Sequence, residues 1–262
     1  MDKMDGDEIR DSLRHLPLGK IKYFESITST NDVCLDWSQE DVPDLSLVIA
    51  NKQTAGRGRN TRTWYSEGDS GLAFSLLIRP EYTEMKDISL FSGLGALAVS
   101  NALENYGLDP RIKWPNDVLI RSRKVCGILV EGAWINERLE SIVMGIGVNV
   151  RANSIPPAET LNFPATCLET EISQTVNRLQ LLREIISNII VWRPRIYEDD
   201  FLHAWEDRLA FRDTMVEIWA DNFPSRIGKI AGLEKDGSLK LLTAKGKSIC
   251  AHFGEVHLHP VL

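Results

Sequence analysis

The amino-acid sequence predicts an α/β (α+β) fold with a mixed sheet, followed by a tail that contains only strands. Through residue 205, apolar runs typical of strands alternate with segments whose apolar residues recur at helical spacing. From Met215 onward, short alternating runs are separated by hairpin turns. The 262 residues, 43% of them hydrophobic, suffice for one large and one small core. We therefore expect two domains, at residues 1–212 and 213–262.

Each strand of the first domain is predicted from an apolar, often β-branched run bounded by turn-forming residues. These strands lie at residues 21–24, 47–50, 71–78, 111–113, 118–120, 140–150 and in a run that begins at 124. Helical spacing predicts helices at 8–16, 31–38, 85–106, 176–191 and 197–205, with prolines 17 and 194 as breaks. The tail strands are predicted at 215–219, 225–233, 239–242, 248–253 and 256–258. Strand order does not follow from these patterns.

Charge and cysteine content exclude several classes of protein. The formal net charge of −7 argues against a general nucleic-acid binder, because counterion release needs a basic face. The four scattered cysteines have neither the spacing of a zinc site nor that of a disulfide framework. No apolar run approaches the roughly 18 residues that cross a bilayer, and residues 1–20 are too polar for a signal peptide. We expect a cytoplasmic protein without a membrane or nucleic-acid partner.

The stretch at residues 51–64 follows a buried strand and has the composition of an anion-binding loop. It contains two glycines and three arginines, namely Gly56, Gly58, Arg57, Arg59 and Arg62. Glycine lets the backbone approach a ligand closely, and guanidinium groups keep their charge at neutral pH. The absence of a following Gly-Lys-Ser/Thr excludes a Walker loop, and the absence of a third glycine opening a helix excludes the dinucleotide fingerprint. A phosphate or carboxylate site and a solvated basic turn both fit this pattern.

Two later stretches decide between these interpretations: residues 113–117 (KWPND) and residues 124–131 (KVCGILVE). Together with the arginine loop that ends in Trp64, they make most of the chain resemble the biotin protein ligases. The resemblance implies a mixed-sheet catalytic domain with the class II synthetase or biotin–lipoate ligase fold and a C-terminal SH3-like β-barrel. Residues 1–20 leave no room for a winged-helix domain, so the expected form lacks the N-terminal DNA-binding domain.

The resemblance also implies which side chains bind the substrates. The biotin-binding residues would be Ser29, Thr30, Asn31, Gln53, Gly56, Arg57, Arg59, Trp64, Lys124 and Gly127. The ATP-binding residues would be Arg59, Arg62, Trp64, Asn116, Asp117, Lys124 and Asn149. Lys124 and Arg59 would be the catalytic pair, and Asp117 the Mg²⁺ ligand.

Local chemistry alone gives other interpretations of several of these residues. Ser29 or Thr30 would cap a helix, and Lys124 would be a solvated residue at a strand start. Asn116 and Asp117 would be ordinary turn residues after Pro115. The functional roles therefore depend on the resemblance.

The reaction implied by the resemblance has two halves. The biotin carboxylate attacks the α-phosphate of ATP to give biotinyl-5′-AMP and pyrophosphate, and a lysine of a biotin carboxyl carrier protein then takes the biotinyl group. ATP, Mg²⁺ and biotin are the expected small molecules, and the carrier would belong to acetyl-CoA carboxylase or a related carboxylase. A lipoate or octanoate ligase and a non-catalytic biotin-sensing module are the alternatives. A homodimer formed through a sheet edge is also compatible with the sequence.

One position departs from the family pattern. Many loops of this family have a glycine between the GRGR run and the Arg-x-Trp ending, where this chain has Asn60 and Thr61. Threonine is stiffer than glycine, so we expect the ordering of the loop and the retention of the adenylate to differ. We expect the chemistry to be unchanged.

Overall fold

A computed structural model describes residues 4–60, 62–81, 87–135, 138–161, 163–220, 223–252 and 256–260. The helices of this part are α1 (Gly6–Leu13), α2 (Thr30–Ser38), α3 (Ser89–Glu104), α4 (Leu168–Ile172), α5 (Arg178–Trp192) and α6 (Asp199–Glu206). The strands are β1 (Ile21–Ile27), β2 (Ser46–Gln53), β3 (Gly71–Ile78), β4 (Pro110–Lys113), β5 (Asp117–Ile120), β6 (Arg123–Ile135), β7 (Arg138–Asn149), β8 (Met215–Ala220), β9 (Phe223–Leu233), β10 (Leu239–Leu242), β11 (Ser248–Ala251) and β12 (Val256–Pro260). None of these helices is long and apolar enough to cross a membrane.

A seven-stranded mixed sheet forms the centre of the first domain, in the order β1-β2-β3-β7-β6-β5-β4. Strands β1 and β2 run parallel, and the other neighbouring pairs are antiparallel. Helices α3 and α5 pack on one face, whereas α2 packs on the other, over β2, β3 and β7. Because helices cover both faces, the central strands are apolar along almost their whole length.

The tail forms a five-stranded antiparallel sheet in the order β11-β10-β9-β8-β12. The turn between β9 and β10 contacts the first domain, where Trp114 Nε1 donates a hydrogen bond to the Gly237 carbonyl at 2.9 Å. On α3, a Cβ at Gly93 would lie 2.3 Å from Cζ3 of Trp205, so this glycine makes room for the indole ring. Buried side chains of both sheets belong to one hydrophobic cluster. The predicted fold class is confirmed, while the boundary between residues 212 and 213 stays a prediction.

Three details differ from the sequence-based expectation. Strand β2 continues through Gln53, so the arginine loop begins at Thr54 and not at residue 51. The sequence does not predict α4, because its five residues are too few to show a helical period. The helix expected from residue 85 begins at Ser89, and residues 82–86 lie outside the described part of the chain.

The outer edge of β4 is covered by the chain that follows α6. The Ile112 amide donates to the Arg208 carbonyl at 2.6 Å, and the Ala210 amide donates to the Ile112 carbonyl at 2.8 Å. A strand of a second molecule would have to displace this segment in order to pair there.

Candidate active site

A cavity of about 150 Å³ lies where the arginine loop folds over β6 and β7. Its wall contains most of the residues predicted from the sequence, namely Ser29, Thr30, Asn31, Gln53, Arg57, Arg59, Arg62, Trp64, Asn116, Asp117, Lys124 and Gly127. They come from α2, β2, β5, β6, the loop after β2 and the turn after β4. The central sheet therefore gathers residues that are far apart in the chain.

A second cavity, of about 880 Å³, shares part of that wall and extends between the arginine loop and residues 156–163. Gly56 lines this second cavity. The residues common to both are Gln53, Arg62, Thr63, Trp64, Lys113, Asp117 and Lys124. The shared wall thus carries three cationic side chains and one carboxylate, whereas the far end of the first cavity has hydroxyl and amide groups.

The arginine loop is a hairpin whose backbone is fixed by its own hydrogen bonds. The Trp64 amide donates to the Gly56 carbonyl at 2.8 Å, and the Gly58 amide donates to the Arg62 carbonyl at 2.7 Å. A Cβ at Gly56 would lie 2.5 Å from the Trp64 carbonyl oxygen, so the backbone approach requires glycine. This hairpin places three guanidinium groups beside the first cavity.

The tip of the hairpin contains the position that departs from the family pattern. Asn60 has a φ of 51°, in the left-handed region where asparagine is enriched among residues other than glycine. Thr61 lies outside the described residues, so the expectation about loop ordering stays a prediction. Asn60 is thus a residue that can adopt the left-handed conformation of this turn.

A chain of buried hydrogen bonds between α2, β2 and β3 forms the floor of the first cavity. Gln53 Oε1 accepts from the Thr30 amide at 2.8 Å and from the Thr30 hydroxyl at 3.1 Å. The Ser75 hydroxyl lies 2.7 Å from Thr30 Oγ1 and 2.5 Å from Asn31 Oδ1. Ser29 occupies the N-cap position of α2 without a side-chain capping bond. The N-cap interpretation of Ser29 is therefore correct for its position but not for its hydrogen bonding.

Glu131 joins this floor to the arginine loop. Its carboxylate accepts hydrogen bonds from Arg57 Nη1 at 2.8 Å, from Arg57 Nη2 at 2.7 Å and from Asn31 Nδ2 at 2.7 Å. Asp32 Oδ1 lies 2.9 Å from Arg57 Nε. A Cβ at Gly145 would fall 2.1 Å from Asn31 Oδ1, so this glycine makes room for the amide. Two carboxylates neutralise Arg57, which leaves its backbone as the part best suited to contact a ligand.

The Trp64 indole lies against glycines of the sheet. A Cβ at Gly147 would be 2.3 Å from Cε2 of the indole, and a Cβ at Gly127 would be 3.0 Å from Cζ3. Lys124 Nζ lies 5.7 Å from the centre of the same ring. Trp64 is therefore a wall between the two cavities, as expected for a residue that covers the apolar part of a ligand.

Arg59 and Lys124, the predicted catalytic pair, are held by neighbouring residues of one turn. Arg59 Nη1 donates to Asn116 Oδ1 at 3.3 Å, and Lys124 Nζ lies 2.6 Å from Asp117 Oδ1. Asn116 in turn donates through Nδ2 to the Ile128 carbonyl at 2.7 Å and accepts at its own carbonyl from the Ile128 amide at 2.9 Å. This pairing with β6 fixes the turn, so both cations face the same space.

Lys113 is a further cation in the shared wall. Its Nζ lies 4.4 Å from the centre of the Phe163 ring. Burial lowers the pKa of the Lys113 ammonium, and the positive charges of Lys124 and Arg62 lower it further, while Asp117 opposes them. The sequence analysis quoted this lysine within KWPND without giving it a role.

The carboxylates present limit how the site can hold Mg²⁺. Among the residues that the structure describes, no three His, Cys, Asp or Glu side chains come together as a metal site. Asp117 is the carboxylate of the shared wall. Magnesium keeps several waters and is commonly bound by one or two carboxylates plus substrate phosphates, so a single aspartate fits a metal that arrives with a nucleotide.

One predicted residue lies away from both cavities, and three other residues belong to the site without having been predicted. Asn149 Nδ2 donates to the Thr166 carbonyl at 3.1 Å, and Asn149 lines neither cavity wall. Its nucleotide-binding role stays a prediction. Ser75 and Asp32 were missed, and Glu131, the last residue of the KVCGILVE stretch, was given no role; each of the three contacts a predicted site residue. A lone serine in the apolar run of β3 was the available signal, because a buried hydroxyl needs a partner.

Comparison with known proteins gives one family. The model of the biotin/lipoate A/B protein ligase family matches residues 23–149. The bifunctional ligase/repressor BirA of Bacillus spizizenii is 31% identical over 252 residues, which cover 93% of this chain and 76% of that protein. The biotin--[acetyl-CoA-carboxylase] ligase of Paracoccus denitrificans is 29% identical over 213 residues, 77% of this chain and 86% of that protein.

Solved structures give the same result for the fold. The biotin protein ligase from Aquifex aeolicus, in complex with biotin and ATP, superposes with a TM-score of 0.77 and 27% identity. The superposition covers 92% of this chain and 99% of the Aquifex chain. Both the central sheet and the C-terminal sheet are thus part of the shared architecture.

Proposed function

The chain belongs to the biotin/lipoate A/B protein ligase family, and from this premise we propose that it is an ATP-dependent biotin protein ligase. It activates biotin as biotinyl-5′-AMP and transfers the biotinyl group to a lysine of a biotin carboxyl carrier protein. One observation carries the proposal. Arg59 and Lys124 both line a small cavity that has hydroxyl and amide groups at its far end, and the adjacent residues Asn116 and Asp117 hold them there, while Lys124 also lines a larger cationic cavity.

The small cavity has the chemistry that a cyclic urea requires. The ureido ring of biotin is neutral, with one strong acceptor and two donors, so it needs short hydroxyl and amide partners instead of charges. Ser29, Thr30 and Gln53 supply such groups, and the bonds to Ser75 and Glu131 fix their neighbour Asn31. The Trp64 indole packs over Gly127 and Gly147, where its apolar ring would cover the fused rings and the tail of biotin.

The first half-reaction needs positive charge where the two cavities meet. The biotin carboxylate oxygen forms a bond to the α-phosphorus of ATP, the bond from that phosphorus to the bridging oxygen breaks, and pyrophosphate leaves with the electron pair. Two unit charges 4 Å apart repel by about 4 kcal/mol at an effective dielectric of 20, so cations are required to bring the anions together. Arg59 neutralises the carboxylate, Arg62 the nucleotide phosphates and Lys124 the charge that develops on the α-phosphate.

Lys124 also takes part in the second half-reaction. The neutral ε-amine of the carrier lysine attacks the acyl carbon of biotinyl-5′-AMP, the carbon–oxygen bond to the phosphate breaks with its electron pair going to the departing AMP, and the proton lost by the amine passes to solvent. Lys124 stabilises the negative charge on the departing AMP. No covalent enzyme intermediate is needed in either half.

Asp117 would hold Mg²⁺ together with the nucleotide phosphates, and the ion would supply further neutralisation of phosphate charge. The Asp117 carboxylate also forms an ion pair with Lys124 at 2.6 Å. Asp117 would therefore also position the lysine.

Biotin, ATP and the carrier domain are the partners of this reaction. The acidic net charge of −7 supports an enzyme without a nucleic-acid partner. A homodimer would form through a part of the sheet other than the β4 edge, since residues 208–210 already pair with Ile112 there. Measuring the molar mass in solution with and without biotin plus ATP tests the dimer.

A direct test follows pyrophosphate release from ATP with biotin, lipoate or octanoate as the acid. We expect biotin alone to support release, and the apo form of a carrier domain to gain the mass of one biotinyl group when it is added. Release with lipoate or octanoate in place of biotin would favour the lipoate-type alternative. Biotin binding without any pyrophosphate release would favour a non-catalytic biotin sensor.

A further inference from the structure

Lys113 has an unusual environment for a partly buried cation. In the antiparallel register of β4 and β5 it faces Asp117, but the Asp117 carboxylate is 2.6 Å from the amine of Lys124. Within the described residues, Lys113 forms no ion pair shorter than 4 Å, and the contact of its amine is the Phe163 ring at 4.4 Å. Asp117 attracts the Lys113 ammonium but forms its close ion pair with Lys124. A buried charge without an ion pair of its own destabilises a fold, so such groups are concentrated at sites where a ligand brings the opposite charge.

The location of the ammonium group indicates which ligand that is. Lys113 lines both cavities, but Phe163 lines only the larger one, and the Lys113 amine lies over its ring. The charged end of Lys113 therefore points toward the nucleotide side. The biotin carboxylate and the α-phosphate, in contrast, are assigned to Arg59, which lines only the smaller cavity, and to Lys124, which pairs with Asp117.

We propose that Lys113 binds the β- and γ-phosphates of ATP and stabilises the pyrophosphate leaving group. This inference rests on the proposed ligase function. When the bond between the α-phosphorus and the bridging oxygen breaks, the electron pair moves onto the β-phosphate, and the Lys113 ammonium lies on that side of the site. Lys124 thus acts on the α-phosphate, and Lys113 acts with Arg62 on the pyrophosphate group that departs.

Measuring the two half-reactions separately distinguishes a role of Lys113 at the β- and γ-phosphates from a role in both half-reactions. Pyrophosphate takes part in adenylation but not in transfer from biotinyl-5′-AMP. Lys113→Met should therefore lower kcat/KM for ATP on the order of 10- to 100-fold in pyrophosphate release, the range for losing one charged contact. Transfer of biotin to the apo carrier domain from supplied biotinyl-5′-AMP should stay within about twofold of wild type. Lys113→Arg should recover most of the ATP-dependent rate, because the charge is kept.

A matched control is available on β1. Lys22 Nζ lies 4.7 Å from the centre of the Phe24 ring, so Lys22→Met also removes an amine from an aromatic ring but outside both cavities. We expect this variant to behave as wild type in both assays. The Lys22→Met variant thus measures the effect of losing a cation–π contact that lies outside the site.

Three results would overturn the assignment. Equal losses in adenylation and in transfer from supplied biotinyl-5′-AMP would make Lys113 a structural residue or a partner of the α-phosphate. A rise in the Kd of biotin with an unchanged KM for ATP would assign Lys113 to the carboxylate. Wild-type kinetics for Lys113→Met would remove any role. Failure of the wild-type protein in both half-reactions is a different result, since it rejects the ligase function itself.

Discussion

The two sides of the reaction site are built in different ways. On the biotin side, helix and strand residues form a continuous series of hydrogen bonds from Gln53 through Thr30, Ser75 and Asn31 to Glu131. On the nucleotide side, cations from loops and strand ends line a larger space, and one of them, Lys113, has an aromatic ring as its contact.

This difference reflects the two ligands. A neutral cyclic urea is recognised by direction, because each donor must meet an acceptor, and a rigid sheet fixes those directions. A triphosphate is recognised by charge, which acts over longer distances and tolerates movement. We therefore expect substitutions on the biotin side to act through geometry and those on the nucleotide side to act through charge.

Lys124→Ala should have the largest effect, because it removes charge at the point where both sides meet. We expect pyrophosphate release to fall on the order of 10²- to 10³-fold, the loss typical of one donor aimed at developing charge. The Kd of biotin, measured by titration calorimetry, should change far less. Near-normal pyrophosphate release by this variant would contradict the catalytic role.

Glu131→Gln tests the geometry of the biotin side. Glutamine offers one oxygen where the carboxylate accepts from both Arg57 and Asn31, so its amide NH₂ would face another donor. Hydrogen bonds to charged groups contribute about 1.5–3 kcal/mol, which corresponds to roughly 10- to 100-fold weaker biotin binding. The KM for ATP should change much less.

Glu140→Gln is the control for that experiment. Glu140 is on the neighbouring strand β7 and forms an exposed ion pair with Arg138 at 3.4 Å. Exposed pairs contribute little, so biotin binding should match wild type. Equal losses in the Glu131 and Glu140 variants would show that net charge, and not the arrangement of donors, controls the biotin side.

Gly147→Ala and Gly127→Ala form a graded pair. At Gly147 the added methyl would lie 2.3 Å from the Trp64 ring, whereas at Gly127 the nearest atom is 3.0 Å away. Overpacking costs about 1–3 kcal/mol, so we expect roughly tenfold weaker biotin binding for Gly147→Ala and a smaller change for Gly127→Ala. Calorimetric Kd values check the order, and the reverse order would contradict the position of the indole.

The smallest expected effect is the pH dependence of stability at Lys113. Because burial lowers its pKa in the folded protein, the unfolded chain holds more protons between that lowered value and the ordinary lysine pKa of about 10.4. The stability of the wild-type protein should therefore rise with pH through this window. Lys113→Met should raise Tm by a few degrees at pH 7, and the gain should disappear above about pH 10. A lower Tm at pH 7 would contradict the cost of the buried charge.

The sequence predicted the parts of the site that lie close together in the chain. The arginine hairpin, the turn at residues 113–117 and the start of β6 each combine several of the predicted site residues in a short motif, and these residues line one cavity. Ser75 and Asp32 were not predicted, because their partners are on other elements and only the folded sheet brings them together. The nucleotide-binding role of Asn149 depended on the resemblance alone and stays a prediction; its side chain donates to the Thr166 carbonyl.

The bond from Trp114 to the Gly237 carbonyl limits how far the chain can be shortened. A protein engineer who wants a small labelling enzyme would naturally stop at residue 212. Such a fragment would expose the Trp114 ring, of which only 2% is accessible in the whole chain, and would remove the acceptor of its N–H group. The next residues of that turn, Asn116 and Asp117, hold Arg59 and Lys124, the predicted catalytic pair. The C-terminal sheet thus supports the turn that carries Asn116 and Asp117. A minimal biotinylation reagent should therefore keep the C-terminal tail intact.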